Sequence, residues 1–283
     1  MGFRTDLAIE STQSPDVRGI SGVKSEEYTI DNVKITKTVI DSAEAEQKSG
    51  KPMGDYITLE VESFIRPTEK TESETFALSQ VLQKLIPDGE VLVVGLGNSA
   101  ITPDGIGPKT LEHIFATRHI NTEGVQIEGL ESLRSVGAIA TGVLGQTGME
   151  SAQIVKSVCG EIKPAAVIAI DALACSDISR LASTVQITNT GISPGSGVQN
   201  SRKELSEGSL GVPVIAIGVP TVVDMSTIAE SISKVSDSRY SSMMVTPREI
   251  DTVVSRSAKM LSLAVNKALN PSLSFEDIEC LTC

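Results

Sequence analysis

Tryptophan is absent from this 283-residue chain, and three Tyr and five Phe bring aromatics to only 3% of it. A core must then be assembled from Val, Ile, Leu and Ala, the composition of buried parallel strands flanked by helices. Only two histidines occur, His113 and His119, which narrows catalytic schemes that turn on an imidazole. Four cysteines are too sparse for a disulfide framework. Cys280 and Cys283 have CxxC spacing, and with Cys159 and Cys175 they could make a four-thiolate zinc site. Their place at the extreme terminus favours a free, frayed end instead. No apolar run reaches transmembrane length, and Met1-Gly-Phe-Arg4 does not open a basic-then-apolar signal peptide. A soluble, intracellular protein is expected, with no membrane partner. Cations are also scarce. Lys and Arg number 24 against 36 Asp and Glu, a formal charge of −12. That balance argues against nucleic acid as a direct partner, because phosphate binding needs a basic surface. It is compatible with a basic protein as substrate.

What is present is an alternation of strand and helix patterns. Residues 1–22 lack periodicity and read as a loosely held arm. Segments Tyr28 to Ile40 and Tyr56 to Ile65 have strand character, and Ile57, Leu59, Val61 and Ile65 of the second alternate with polar neighbours. The two form a peripheral antiparallel β pair within an extension at 23–70, with the segment around Lys48 to Gly54 as a loop. Leu78, Val81, Leu82 and Leu85 then fall at helical spacing, and Pro87-Asp-Gly89 stops that helix. Strands follow at Val91 to Val94, Leu133 to Ala140, Pro164 to Ile170, Thr184 to Thr188 and Pro213 to Gly218. Helices are expected at about Pro103 to Thr117, with Thr102 as N-cap, then at Gly148 to Glu161, Thr221 to Val235 and Pro247 to Leu269. Short connections imply a single α/β domain over 1–283 with a mostly parallel sheet covered on both faces.

The chemistry-bearing stretch is Gly95-Leu-Gly97-Asn98-Ser-Ala-Ile-Thr102-Pro-Asp104-Gly-Ile-Gly-Pro108. It carries the chain from a buried strand through a glycine-rich turn to a helix start, where ligands sit in open α/β sheets. The pattern Gly95-x-Gly97-x-x-Ala100 loosely fits a dinucleotide site. Thr102-Pro103 starts the helix too late for that, and no acidic residue closes a second strand about 20 positions on. No cofactor is expected. Gly191-Ile-Ser193-Pro194-Gly195 matches G-x-S-x-G, but Pro194 has no N–H for an oxyanion hole, so the run Gly191 to Val198 reads as a loop near the site. Asp104 in the first helical turn and Asp171 after the apolar run Ala165 to Ile170 remain. Each has a plainer reading, as a helix-stabilising carboxylate and as a turn cap. Together, two carboxylates at one sheet edge share a proton and can serve as base toward water and as acid, for peptide or amide hydrolysis without a covalent intermediate.

At these residues the chain resembles the germination protease family of endospore-forming bacteria. The resemblance runs through Val93 to Pro108, Ala116-Thr-Arg-His119, Ala140 to Glu150, Lys163 to Ala174, Thr190 to Val198, Arg202-Lys-Glu-Leu205, Leu210 to Asp224 and Met244 to Asp251. It implies an atypical aspartic endopeptidase that degrades small acid-soluble spore proteins at germination, located in the cytoplasm of the forespore and the spore core. It implies an inactive homotetrameric zymogen that removes its own N-terminal segment. Asp104 and Asp171 take the places of the family's catalytic aspartates. The implied fold is a three-layer α/β/α sandwich, phosphorylase/hydrolase-like and similar to hydrogenase maturation proteases. Arg4-Thr-Asp-Leu-Ala-Ile-Glu10 resembles the family's processing site, so cleavage is expected between Asp6 and Leu7, with 1–6 as propeptide. Gly97, Asn98, His119, Ser193 and Gly195 are candidates for substrate or active-site loop positions. Two rivals stand beside this reading. One is a metallopeptidase using Asp104, Glu150 or His119. The other is a noncatalytic small-molecule binder built on the Gly95 turn.

Overall fold

The computed structural model describes residues 5–122, 133–195, 202–233 and 243–282. In chain order the elements are α1 (Ala8–Gln13), β1 (Val23–Ile30), β2 (Val33–Ile40), α2 (Ala43–Ser49), β3 (Gly54–Glu60), α3 (Thr71–Leu85), β4 (Val91–Gly95), α4 (Ile106–Leu111), α5 (Arg118–Thr122) and β5 (Val136–Ala140). There follow α6 (Leu144–Thr147), α7 (Ser151–Ile162), β6 (Ala166–Cys175), β7 (Thr184–Thr188), α8 (Glu207–Leu210), β8 (Val214–Asp224), α9 (Met225–Ser233), β9 (Met244–Val245), α10 (Ile250–Leu269) and α11 (Phe275–Thr282). One sheet joins the described strands in the order β1-β2-β3-β7-β8-β6-β4-β5, with β9 paired to β8. The four strands β8, β6, β4 and β5 are parallel, and the remaining strands continue from β8 antiparallel.

Alternation along the parallel strands explains the three layers. Val91 and Val93 of β4, with Ile168 and Ile170 of β6, pack under α3, α4 and α10 against Leu78, Leu82, Ile106, Val253 and Leu261. Leu92 and Val94, with Val167 and Ala169, face Val155 and Cys159 of α7 and Leu210 of α8. Both faces are buried, so these strands read as continuous apolar runs. Each fully buried Ile or Leu contributes roughly 1.5–3 kcal/mol of transfer free energy.

The antiparallel wing differs from the expected pair. Tyr28 to Ile40 is not one strand, because Asp31 and Asn32, at φ 48° and 63°, make a two-residue turn that folds it into the β1–β2 hairpin. Three strands therefore extend the sheet, and β3 joins it by pairing with β7 from Tyr56–Thr188 to Glu60–Thr184. Helix α2 occupies part of the expected loop; Ser42 caps it by accepting the Ala45 N–H at 3.2 Å. The N-terminal arm is not loose from residue 6 onward. Leu7, Ala8 and Ile9 are buried, with Leu7 and Ile9 packed on Leu173, Cys175 and Val223.

Two helix starts also move. Thr102–Asp104 is a single 3-10 turn, and α4 begins only at Ile106; Thr102 makes no side-chain cap bond. The expected helix at Thr221 begins at Met225, because β8 runs on to Asp224.

Candidate active site

The site opens at the carboxyl ends of β4 and β6. The chain leaves β4 toward β5 on one side while β6 lies on the other, so the following loops part and leave a crevice. Strands β4 and β6 run in register from Val91–Ala166 to Gly95–Ile170. Asp171 is the next residue of β6. The strand does not end at Ile170 as its apolar run suggested. It continues to Cys175 because β8 accompanies it as far as Val223, with a register shift between Leu173 and Ala174. Asp171 is thus an acidic residue inside a strand, flanked by β8 on one side and by the crevice on the other.

A tight turn delivers Asp104. The Ile101 N–H donates to the Asn98 carbonyl at 3.0 Å, and the Asp104 N–H to the Ile101 carbonyl at 2.8 Å. The Asn98 N–H is shared between the Asp104 carbonyl, at 3.0 Å, and its Oδ2, at 2.8 Å. This closure needs glycine at 97, whose φ is +106° and where a Cβ would overlap the Asp104 carbonyl. Gly107 in α4 plays the packing role, since a Cβ there would overlap the carbonyls of Leu96 and Ile170. The helix backbone therefore lies directly on the ends of the two strands that present the carboxylates.

Asp104 and Asp171 line one cleft of about 800 Å³. Burial pushes the Asp104 carboxyl above its ordinary pKa, opposed by the Asn98 N–H. Burial, and then the charge of Asp104, hold Asp171 well above the usual carboxylate range; the Ala172 N–H, donating to Asp171 Oδ1 at 2.9 Å, opposes this, and Asp6 adds to the rise. Asp171 thus senses the charge of Asp104.

The other candidates divide. Gly97, Ser193 and Gly195 line the cleft. Ser193 and Gly195 are carried on a hairpin clasped by Ile192 and Leu205, which exchange bonds of 2.9 and 2.8 Å, and the loop's remainder, 196–201, lies outside the described residues. Asn98 braces the turn instead: its Oδ1 accepts from the Ala100 N–H at 3.0 Å and from Gln146 at 2.8 Å. His119 is elsewhere. It is exposed on α5, beside Arg118, which pairs at 2.8 Å with Glu90 just before β4, and Thr117, which accepts the Val136 N–H at the start of β5. That is the amino end of the strands, opposite the cleft, so His119 is corrected away from the site.

Asp6 and Leu7 sit at the cleft and beside it. The Asp6 N–H donates to the Ala174 carbonyl at 2.9 Å along the open edge of β6. Glu150 also lines the cleft, heading α7 with its N–H on Gln153 Oε1 at 3.3 Å. Asp104, Glu150 and His119 do not converge, and among the described residues no group of three or more His, Cys, Asp or Glu is placed to hold a metal ion. Nor do the described cysteines meet as a four-thiolate site: Cys159 lies on the buried face of α7 in one core cluster, Cys175 lies at the end of β6 in another with its Sγ on the Val222 carbonyl, and Cys283 is outside the described residues. Lys51 and Gln186 line the cleft and have no motif that reveals them. Gln186 sits in a five-residue strand and gains its place only through its pairing with Gly218, which in turn pairs with Asp171.

Among the described residues no helix is long and apolar enough to cross a membrane. The model of the family described as germination protease matches residues 4–238. A germination protease of Caldanaerobacter subterraneus subsp. tengcongensis is 40% identical over 99% of this chain and 98% of its own. One from Clostridium tetani is 39% identical over 98% of each. A solved hydrogenase maturation protease, HycI of Thermococcus kodakarensis, overlays 65% of this chain and 98% of its own at 14% identity and a TM-score of 0.37. With the family model spanning most of its length and two full-length relatives near 40% identity, the chain belongs to the germination protease family and is a peptidase.

Proposed function

We propose that this peptidase is an endopeptidase of the spore interior that begins the degradation of small acid-soluble spore proteins at germination, with Asp104 and Asp171 as its acid–base pair. One observation carries the reading: Asp171 is the first residue of β6 beyond the β4 pairing, in the same cleft as Asp104, and each acid is held protonated more readily than a free carboxyl. Two such groups share one proton. The Asn98 N–H favours the charge on Asp104, while burial and that charge favour the proton on Asp171. The ionised acid takes a proton from water as its oxygen attacks the scissile carbonyl carbon. The neutral acid gives its proton to the departing nitrogen as the C–N bond breaks. No covalent intermediate is required.

The chain is made as a zymogen in this reading, cut by itself between Asp6 and Leu7 and assembled as a tetramer. Incubation of the purified protein with a small acid-soluble spore protein, followed by mass spectrometry, tests the substrate. Discrete internal fragments support the reading; an intact substrate after prolonged incubation at several pH values rejects it. N-terminal sequencing of the processed chain should begin at Leu7, light scattering should give a tetramer, and cleavage should survive exhaustive chelation.

A further inference from the structure

Among the described residues four methionines are exposed, Met53, Met149, Met243 and Met244, and they share one neighbourhood. Met244 lines the cleft. The other three each stand one residue from a position that does: Met53 beside Pro52, Met149 beside Glu150 and Met243 beside Met244. Ile101, also exposed, lines the same opening. Single exposed apolar side chains are ordinary on a protein surface, whereas a cluster of them around an opening marks a binding rim. Met260, by contrast, is buried in the core.

The sheet order spreads this rim over both flanks of β6. Met244 pairs with Asp224, the last residue of β8, on one flank. On the other, Ile101 belongs to the turn after β4, and the Asn98–Gln146 bond at 2.8 Å ties that turn to α6, which leads into Met149. The backbone beneath is fixed. The Met149 N–H donates to Thr147 Oγ1 at 3.1 Å, and the same hydroxyl donates to the Met149 carbonyl at 3.1 Å. The Met243 carbonyl accepts the Met225 N–H at 2.9 Å. The rim is thus an ordered frame carrying exposed thioethers.

A thioether is an adaptable apolar group on binding surfaces, and it is also a group that a peroxide converts to a polar sulfoxide. The thiols are less open to that chemistry. Cys159 and Cys175 are buried, and burial pushes both thiols up, Cys175 to about 12, so little reactive thiolate forms. Cys280 is exposed, but on α11, which packs on α10.

We propose that the methionine rim is a reversible sulfoxidation site that governs entry of the substrate chain into the cleft, with hydrogen peroxide as the oxidant. The peroxide O–O bond breaks as an S–O bond forms; sulfur gives up two electrons, and the second oxygen leaves as water. A methionine sulfoxide reductase reverses the step with a dithiol, which closes to a disulfide as the sulfoxide oxygen departs as water. The reduced rim offers apolar contact to the side chains of an incoming peptide, and the oxidised rim does not. This rests on the proteolytic reading of the cleft.

The test treats the full-length chain, after self-processing, with hydrogen peroxide, removes the peroxide, and assays a synthetic peptide copying residues 2–13, which contains neither Met nor Cys. Peptide mapping should find one added oxygen at Met149 and at Met244. The kcat/KM of wild type should fall about tenfold, through KM, the scale of losing one apolar contact. Methionine sulfoxide reductase with dithiothreitol should restore it, and dithiothreitol alone should not. A quadruple variant, Met53→Leu, Met149→Leu, Met243→Leu and Met244→Leu, should keep its own kcat/KM to within about twofold through the same treatment. A rim that stays unoxidised overturns the proposal, as does an oxidised rim with unchanged KM. An equal loss in the quadruple variant, or recovery with dithiothreitol alone, also overturns it. Untreated wild type that leaves the peptide intact overturns the proteolytic reading instead. Should the variant fail to fold, norleucine in place of every methionine, which exchanges sulfur for a methylene, decides the question by the same readings.

Discussion

Ile170 pairs with Gly95, the last residue of β4, so the side chain of Asp171 is the first on β6 to lie beyond its neighbour strand. A difference in length between two parallel strands thus turns one buried position into the floor of a cleft. Asp104 reaches the same cleft from the turn after β4.

A proton shared between the two acids, as proposed, sets a pH profile. Below the pKa values of both acids the base is protonated, and above both the acid is lost, so activity peaks between them. Both values are raised, by burial first and, at Asp171, by the charge of Asp104. The alkaline limb of kcat/KM should therefore lie above the ordinary carboxyl range near ~4. Peptide cleavage across pH 3–9 measures it.

Stability should carry the same signature. Asp171 has a folded-state pKa above its unfolded value, so between the two the native chain binds more protons than the unfolded one. Stability then falls as pH rises through that window, and the loss is complete above the folded pKa. Asp171→Asn removes this loss. Its Tm should exceed that of wild type at neutral pH by a few degrees, about 1 kcal/mol corresponding to roughly 2–4 °C in a chain this size. Below the ordinary carboxyl range the gap should close.

Gly107→Ala should damage fold and activity together. The added methyl overlaps the Leu96 and Ile170 carbonyls, so α4 must lift from the strand ends. A cost of about 1–3 kcal/mol is expected for such overpacking, read as a lower urea midpoint. Gly145→Ala in α6 is the contrast. Nothing lies within 4 Å of its added methyl, so stability should hold or rise by up to ~1 kcal/mol.

His119→Ala should leave cleavage of the peptide within about twofold of wild type, as for a surface change away from the chemistry. A loss of a hundredfold would return His119 to the site despite its place at the amino ends of β4 and β5.

Most of the layered architecture was legible because apolar runs such as Val91 to Val94 and Ile168 to Ile170 mark strands buried on both faces. The breaks were less so. Asp171 ended an apolar run and looked like a terminus; an acid buried inside a continuing strand breaks the local pattern, as functional positions do. Thr102-Pro103 has the composition of a helix start, but the Asn98–Asp104 bonds hold it as a separate turn. Asp31-Asn32 carried a hairpin signal that the longer strand pattern masked. Helix α1 is six residues, too short to show a period, and its burial comes from contacts with Leu173 and Val223. Gln186 could not be found at all from sequence, because its value depends on two strand registers at once.

The most direct measurement is digestion of a small acid-soluble spore protein by the Asp104→Asn and Asp171→Asn variants, with circular dichroism and light scattering recorded on the same samples. Both variants should keep the folded spectrum and assembly of wild type and lose cleavage by roughly a thousandfold, the scale of removing a general acid or base. Fragments released at the wild-type rate by either folded variant would contradict the two-carboxylate account.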